Sequence, residues 1–528
     1  MKSKISLPFL LILTLLITYL FIFMKSLQIN FILGTHLLPL QLIFKFLSMF
    51  HKDTKDLALL TSPDASLTEP LVSKIPASPP KLSTSSMKTS WVRWVILALA
   101  SIINFALNYS SNNPQALQPS IQAVFGIEDA KFNLLYSVYS TPNIILPLLG
   151  GLLADYIGVR FAVNLFGFLV FIGQGVFTLG AYYENFELMV LGRFVFGLGG
   201  ESLTVTQLPL IAKWFNGEEL AFAYGFAKSA VRFGKAANSF FTPKIYLWTN
   251  SLSAPLFTGL VVSLISLISG LVFCQFDKKA DSQEVLSSNK ANPSPKKKID
   301  WKDFKSFPKI FYLMLISYAC MFAAFTGVSN PLNKLFVTRF GFDENFAGNL
   351  VMLYYVISAI AGPLVGFIVE KYGRETQLML LITLTLFFTN LSFAFLEDGS
   401  PQNPNYQVMF PLIGVTVFSS FYTILFWAGV AAIIDKRKIG LGTGMITCVS
   451  NLSQTILPLL LGAIHDSTIE VHFGYFWTFI ALCGVVGIGF VLNYMIHRED
   501  KKNKRKVNLI KQESQVAESM SHEQSVKA

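Results

Sequence analysis

Charge is what this chain lacks. Of 528 residues only 14% are Asp, Glu, Lys or Arg, against 52% hydrophobic residues and a mean hydropathy of +0.52. So little polar surface excludes a string of soluble domains and points to a polytopic membrane protein. Cysteine is scarcer still. Cys274, Cys320, Cys448 and Cys483 all lie inside apolar runs, so no disulfide framework is expected. No phosphate-cradling glycine loop, metal-ligand cluster or nucleophile–base pairing rises above chance, which argues against an enzyme, a cofactor or a metal centre. Basic residues do outnumber acids, giving a formal charge of +11. They gather in loops between apolar runs, which is a topology signal and not the footprint of a nucleic-acid binder.

What the chain has in abundance is long apolar runs. They fall at 92–110, 132–154, 161–182, 187–212, 219–243, 254–275, 309–328, 345–369, 376–396, 407–434, 440–465 and 473–496. About twelve transmembrane helices of ~20–25 residues follow, and the expected fold class is all-α integral membrane, two bundles of six. The bundles are placed at 91–275 and 309–496, joined by a solvated, lysine-rich linker at 276–308, with tails at 49–90 and 497–528. The loops on one side carry 16 Lys and Arg, among them Arg160, Lys213, Lys371, Arg374, Lys436 and nine lysines of the linker region. The other side carries four: Lys131, Lys244, Lys334 and Arg339. The lysine-rich side is expected to be cytosolic, with both ends of the twelve-span core on it.

Residues 1–48 fit this scheme poorly. The run 7–23 could anchor in a membrane and 30–48 is a second, poorer run. A single added span would invert the helices that follow, against the charge bias. The two runs either insert as a hairpin, are absent from the mature protein, or precede a true start at Met49. The expectation adopted is a mature protein without 1–48.

Two charges stand out inside LGRFVFGLGGESLTVTQL (191–208), namely Arg193 and Glu201. A charge at the bilayer centre costs at least ~2.5–3.5 kcal/mol. Glu201 lies 13 residues before Trp214, and Arg232 lies 14 after Glu218. At 1.5 Å per residue both sit about 20 Å from the same turn, near the midplane. Lys228, Arg232 and Lys235 share one helical face, which must look onto a cavity or a partner. Two readings remain open. Glu201 and Arg232 form an internal ion pair that locks the bundle, or Glu201 holds an ammonium and Arg232 a carboxylate of a zwitterionic substrate. Lys228 and Lys235 add positive charge, which keeps an organic-anion substrate open. Arg193, two turns from Glu201, reads as helix packing or a gate. His465 and Asp466 lie at the end of the eleventh span, where the lone histidine reads as solvated and not catalytic.

The two halves repeat. GLLADYIGVR carries Gly151, Asp155, Gly158 and Arg160, and GFIVEKYGRE carries Gly366, Glu370, Gly373 and Arg374. The first three positions of the two turns are offset by a constant 215 residues. The turn reads as a structural and gating latch whose charged groups pair with helix ends. It resembles the signature of the major facilitator superfamily, and Arg193-x-x-x-Gly197-x-Gly199 resembles that superfamily's second motif. NYSSNNPQAL (108–117), KFNLLYSVYSTPN (131–143), GRFVFGLGGESL (192–203) and WFNGEELAFAYGF (214–226) resemble, more narrowly, its lysosomal dipeptide transporters. In the second half GLGTGMITCVSNL (440–452) fits that pattern and FYTILFWAGVAAII (421–434) departs from it. The resemblance implies alternating access and a short-peptide substrate, with Glu201 and Arg232 on its motifs and Lys228 and Lys235 as departures. With no other acid deep in a span, facilitated uniport is the default and proton coupling through Glu201 the alternative. A non-transporting scaffold or sensor is the reading of another class.

The tail segment DTKDLALLTSP resembles an acidic dileucine sorting signal ending in Leu59-Leu60, which would recruit adaptor proteins; with the family resemblance it favours lysosomes. Asn108, Asn390 and Asn451 are each followed by x-Ser, but none sits in a loop clear of the bilayer. The resemblance implies a glycosylated single-span accessory membrane protein that shields the chain from a proteolytic lumen.

Overall fold

The computed structural model describes residues 91–147, 158–215, 218–287, 307–372, 375–434 and 439–502, all within one compact unit. Twelve helices correspond to the twelve runs: α1 Val92–Ser111, α2 Asp129–Ser140, α3 Val159–Tyr182, α4 Phe186–Trp214, α5 Glu218–Thr249, α6 Ser253–Ser287, α7 Lys309–Ser329, α8 Glu344–Tyr372, α9 Glu375–Phe395, α10 Met409–Ile433, α11 Ile439–Ser467 and α12 Tyr475–Lys502. Short helices at Asn113–Ala116, Gln118–Phe125 and Leu332–Thr338 fill the loops after α1 and α7. Among the described residues nine helices are long and apolar enough to cross a membrane, without α2, α5 and α8. α5 carries Lys228, Arg232 and Lys235. The described helical part of α2 ends at Ser140, before a 3₁₀ turn at Pro142–Ile144.

Local chemistry sets several helix ends. The Asn185 side chain accepts the Leu188 N–H at 2.9 Å and starts α4, whose last turn carries Lys213 at its negative end. Asp343 accepts the Phe346 N–H at 3.0 Å and starts α8. Arg339 is fully buried and donates to the carbonyls of Phe393 (2.7 Å), Ala394 (3.2 Å) and Leu396 (2.6 Å). A cation thereby satisfies the orphan acceptors at the end of α9.

The packing repeats as the sequence does. In the first half α2 packs on α4, α4 on α3, α3 on α6, α6 on α1 and α1 on α5; in the second α8 packs on α10, α10 on α9, α9 on α12, α12 on α7 and α7 on α11. Adding six to each helix number converts one chain of neighbours into the other. Glycines permit the tightest of these contacts. A Cβ at Gly173 or Gly192 would strike the backbone of the facing helix in the α3–α4 pair. The halves meet through two helix pairs, α2 with α11 and α5 with α8. One apolar core fills the second half, and two smaller ones fill the first.

Hydrogen bonds join the halves at mid-depth and toward the lysine-poor face. Gln115 donates to the Ser329 carbonyl, Ser120 to Glu344 (2.9 Å), Asn133 to the Pro458 carbonyl (2.8 Å), Ser140 to Gln454 (3.2 Å) and Lys244 to Asn349 (2.9 Å). The molecule is closed on that face.

Candidate functional site

The long helices α4 and α5 carry the charges to mid-depth. On α5 the lipid-facing side is marked by Phe226, Phe233 and Phe241, each about half exposed. Lys228, Arg232 and Lys235 lie roughly 180–240° away around the helix, so they point inward. Lys228 is exposed to solvent. Arg232 and Lys235 are half-buried, as is Glu201. The Glu201 charge is within electrostatic reach of Lys228 and Lys235, and the Arg232 charge within reach of Tyr318 and Tyr354.

These charges are gathered but not consumed. Among the described residues the polar partner of Glu201 is the Tyr139 hydroxyl, which donates over a long 3.5 Å. No ion pair there joins Glu201 to Arg232. The reason is architectural: α5 packs on α1 and α8 and touches α4 only lightly. Consecutive antiparallel spans need not be neighbours, and here the ring order separates them.

Arg193 sits differently. It is 1% exposed, with Tyr139, Phe177 and Phe196 around its guanidinium at 4.9, 5.6 and 5.3 Å. Nη2 donates to the Ser111 carbonyl at 3.2 Å, while Nε and Nη1 have no partner. Aromatic faces therefore supply most of what holds this cation, and it is shut off from solvent. Tyr139 touches both Arg193 and Glu201.

The second half contributes aromatic rings. Tyr318 stacks on Phe426 at 4.1 Å and meets Trp427 edge-on at 5.9 Å, so the tenth-span stretch that departs from the expected pattern packs against this wall. Lys235 lies 5.7 Å from the ring centre of Tyr355. The Tyr355 hydroxyl is 2.7 Å from Gln115 Oε1 and 3.2 Å from Asn112 Oδ1, and Asn238 donates to Asn113 at 2.6 Å. NYSSNNPQAL thus supplies a buried polar network tying α1 to α5 and α8. The side chains of Tyr139, Tyr318, Tyr354 and Tyr355 were not singled out from sequence. With 14% aromatic residues, no pattern separates them from packing rings.

In the repeated turn, Gly158 has φ 92, a left-handed conformation that favours glycine. Arg160 donates from Nε to Asp277 at 2.6 Å and also pairs with Asp281. Lys213 reaches Asp277 at 3.0 Å and Asp281 at 2.6 Å, and the Trp214 indole N–H reaches Asp277 at 3.0 Å. Burial alone would raise the Asp281 carboxyl, but Lys213 and Arg160 hold it below its usual range. This network fastens α3, α4 and α6 within one bundle. Gly151, Asp155, Gly373 and Arg374 lie outside the described residues, as do Leu59 and Leu60 and all of 1–90; Gly366 and Glu370 lie on α8.

His465, read from sequence as solvated, is 4% exposed, a correction that follows from α11 packing on α2. Its Nδ1 lies 2.9 Å from Asp129 Oδ2, while Asp129 Oδ1 accepts from Lys334 (2.5 Å), Gln122 (2.6 Å) and Gln118 (3.2 Å). The Asp466 carboxylate accepts the backbone N–H groups of Asp129 (3.1 Å) and Ala130 (2.7 Å), capping α2 from the opposite half. Asp129, His465 and Asp466 are the one group among the described residues with metal-ligand donors close together. Their oxygens are committed to Lys334 and to N–H donors, which leaves poor ligands for a cation. Asn390 and Asn451, two of the three glycan sequons, are buried.

The family model of the Major Facilitator Superfamily matches residues 95–343 and again 320–524. The lysosomal dipeptide transporter MFSD1 of Homo sapiens is 30% identical over 425 residues, covering 78% of this chain and 88% of that protein. The Bos taurus protein of the same name is 29% identical over 424 residues, covering 78% and 87%. Among solved structures, a D-xylose-proton symporter superposes with a TM-score of 0.60 at 15% identity, covering 76% of this chain and 97% of the other. A likeness at that identity speaks for the fold alone.

Proposed function

The chain belongs to the Major Facilitator Superfamily, and from that premise we propose that it is a lysosomal membrane transporter of dipeptides and other short peptides. It works by alternating access as a facilitative uniporter, and we assign it no catalytic activity. The observation that carries the reading is the pair Glu201 and Arg232, held at mid-depth on different helices with no ion pair between them among the described residues. A merely structural pair would be expected to close on itself, since an unpaired charge there is costly. A zwitterion repays the cost, with its ammonium on Glu201 and its carboxylate on Arg232. The names of the MFSD1 relatives support the peptide and the organelle.

The lysine-rich side is then cytosolic, with both ends of the core on it, and the closed face is luminal. Leu59 and Leu60 serve as the adaptor-binding sorting signal. The chain's poor glycan acceptors favour a glycosylated single-span accessory protein as partner. A second reading, an organic-anion transporter, is favoured by Lys228 and Lys235. A scaffold or sensor on a transporter fold is the third. Uptake of a labelled dipeptide into proteoliposomes separates them. Saturable uptake without an imposed ion gradient is expected, and stimulation only by a proton gradient would replace uniport with symport. An absence of both flux and ligand-dependent thermal stabilisation would leave the scaffold.

A further inference from the structure

The mid-depth charges do not balance. Lys228, Arg232 and Lys235 face inward on α5, and among the described residues Glu201 is the carboxylate set against them. The second half adds tyrosines there and no acid; its described carboxylates, such as Asp343, Glu344, Asp398 and Asp466, lie at helix ends or in loops. Resting on the peptide reading above, we propose that the favoured cargo is a dipeptide of net negative charge, one that carries an Asp or Glu side chain. A neutral zwitterion leaves the excess cations uncompensated, and its ammonium must approach Glu201 past two lysines. An added side-chain carboxylate meets Lys228 or Lys235 at mid-depth, where the dielectric is lower and a charge-assisted bond is stronger than in water.

The test is a competition series on the reconstituted full-length protein, in which peptides containing Asp or Glu compete against the isosteric Asn or Gln peptides. The acidic member of each pair is expected to bind about tenfold or more tightly, and K228Q/K235Q is expected to erase that acid-to-amide difference. Equal binding of acid and amide to the native protein overturns the charge preference and leaves the peptide reading standing. Binding of neither member overturns both. If K228Q/K235Q is poorly folded, raising salt on the native protein gives a second readout: the acid-to-amide ratio must fall as ionic strength rises.

A different observation carries a second inference, at the closed face. His465 and Asp466 on α11, Asp129 on α2 and Lys334 on the short helix Leu332–Thr338 form one buried cluster across the two halves. Tyr475 of α12 packs edge-on against the imidazole at 4.8 Å, and His465 Nε2 has no partner. With His465 neutral, two carboxylates face one ammonium; with His465 protonated, the charges balance. We infer that this cluster is an acid-operated latch, in which a proton on His465 favours closure of the lysine-poor face. Opening that face separates α2 from α11, and with them the two carboxylates from their donors.

Spin labels at Tyr183→Cys and Tyr406→Cys, exposed loop positions of the two halves on that face, report the opening once the four native cysteines are replaced. The closed-to-open ratio is expected to be higher at pH about 5 than at about 7.5. H465Q should lose that dependence, and D466N should weaken it. A native protein indifferent to pH, or an H465Q protein that responds like the native one, overturns the latch.

Discussion

Asp277 is the sharpest place to perturb the scaffold, because its carboxylate is 1% exposed and accepts from three side chains. Arg160 and Lys213, at 34% and 31% side-chain exposure, keep water and keep Asp281 when Asp277 is lost. For them the loss is close to that of surface pairs, about 0–1 kcal/mol each. Trp214 is 3% exposed, and its indole N–H would be left buried and unpaired. That costs about 1–3 kcal/mol, so Asp277→Ala should destabilise the protein by about 1–5 kcal/mol. Asp281 has a 36% exposed side chain and two such pairs, so Asp281→Ala should cost no more than about 2 kcal/mol. Denaturant unfolding in mixed micelles reads both, and a cycle with Trp214→Phe isolates the indole bond. Equal losses for the two aspartates, or no coupling between Asp277 and Trp214, would refute the reasoning.

Arg193→Met should preserve or raise stability, since the guanidinium is caged by rings with two nitrogens unpartnered, whereas Arg193→Lys should lower it; thermal unfolding with a marked loss for Met would show hidden pairing. Glu344 is held above its ordinary range by burial, with Ser120 only partly offsetting this. A carboxyl raised on folding contributes more stability at low pH and loses it as pH rises, so Glu344→Gln should flatten stability between pH about 4 and 6; an unchanged slope would dismiss the residue. Changing Leu59 and Leu60 together to Ala should move the protein from lysosomes to the cell surface, and unaltered localisation by microscopy would remove the motif.

The helical scaffold was largely legible in the sequence because the bilayer imposes coarse signals. Runs of about 20 apolar residues and clustered lysines survive without any knowledge of packing. The repeat of Gly151–Arg160 at Gly366–Arg374 likewise anticipated two bundles, though not the order of neighbours they share. What eluded the sequence depends on which helices touch. Glu201 and Arg232 lie on consecutive spans, yet α5 packs on α8, so their separation is set by ring order and not by spacing. His465 looks like a loop-end histidine until α11 meets α2. Tyr318, Tyr354 and Tyr355 carry no signal of their own, because a ring facing a cavity and a ring in a core have the same periodicity. Arg193, by contrast, was expected either in packing or in a gate, and its aromatic surroundings favour packing.

The central claim is that Glu201 and Arg232 hold the two ends of a short peptide. Its most direct measurement is the affinity of one dipeptide in free, N-acetylated and C-amidated forms, on the native protein and on Glu201→Gln and Arg232→Lys. Glu201→Gln should weaken the free and the amidated forms by about ten- to a hundredfold and leave the acetylated form nearly unchanged. Arg232→Lys should weaken the free and acetylated forms despite its kept charge, because an ammonium cannot reproduce the planar fork, and should spare the amide. If instead each substitution lowers all three affinities alike, together with protein abundance, and a double neutral replacement restores both, the two residues are a lock within the scaffold and not ligands for the peptide.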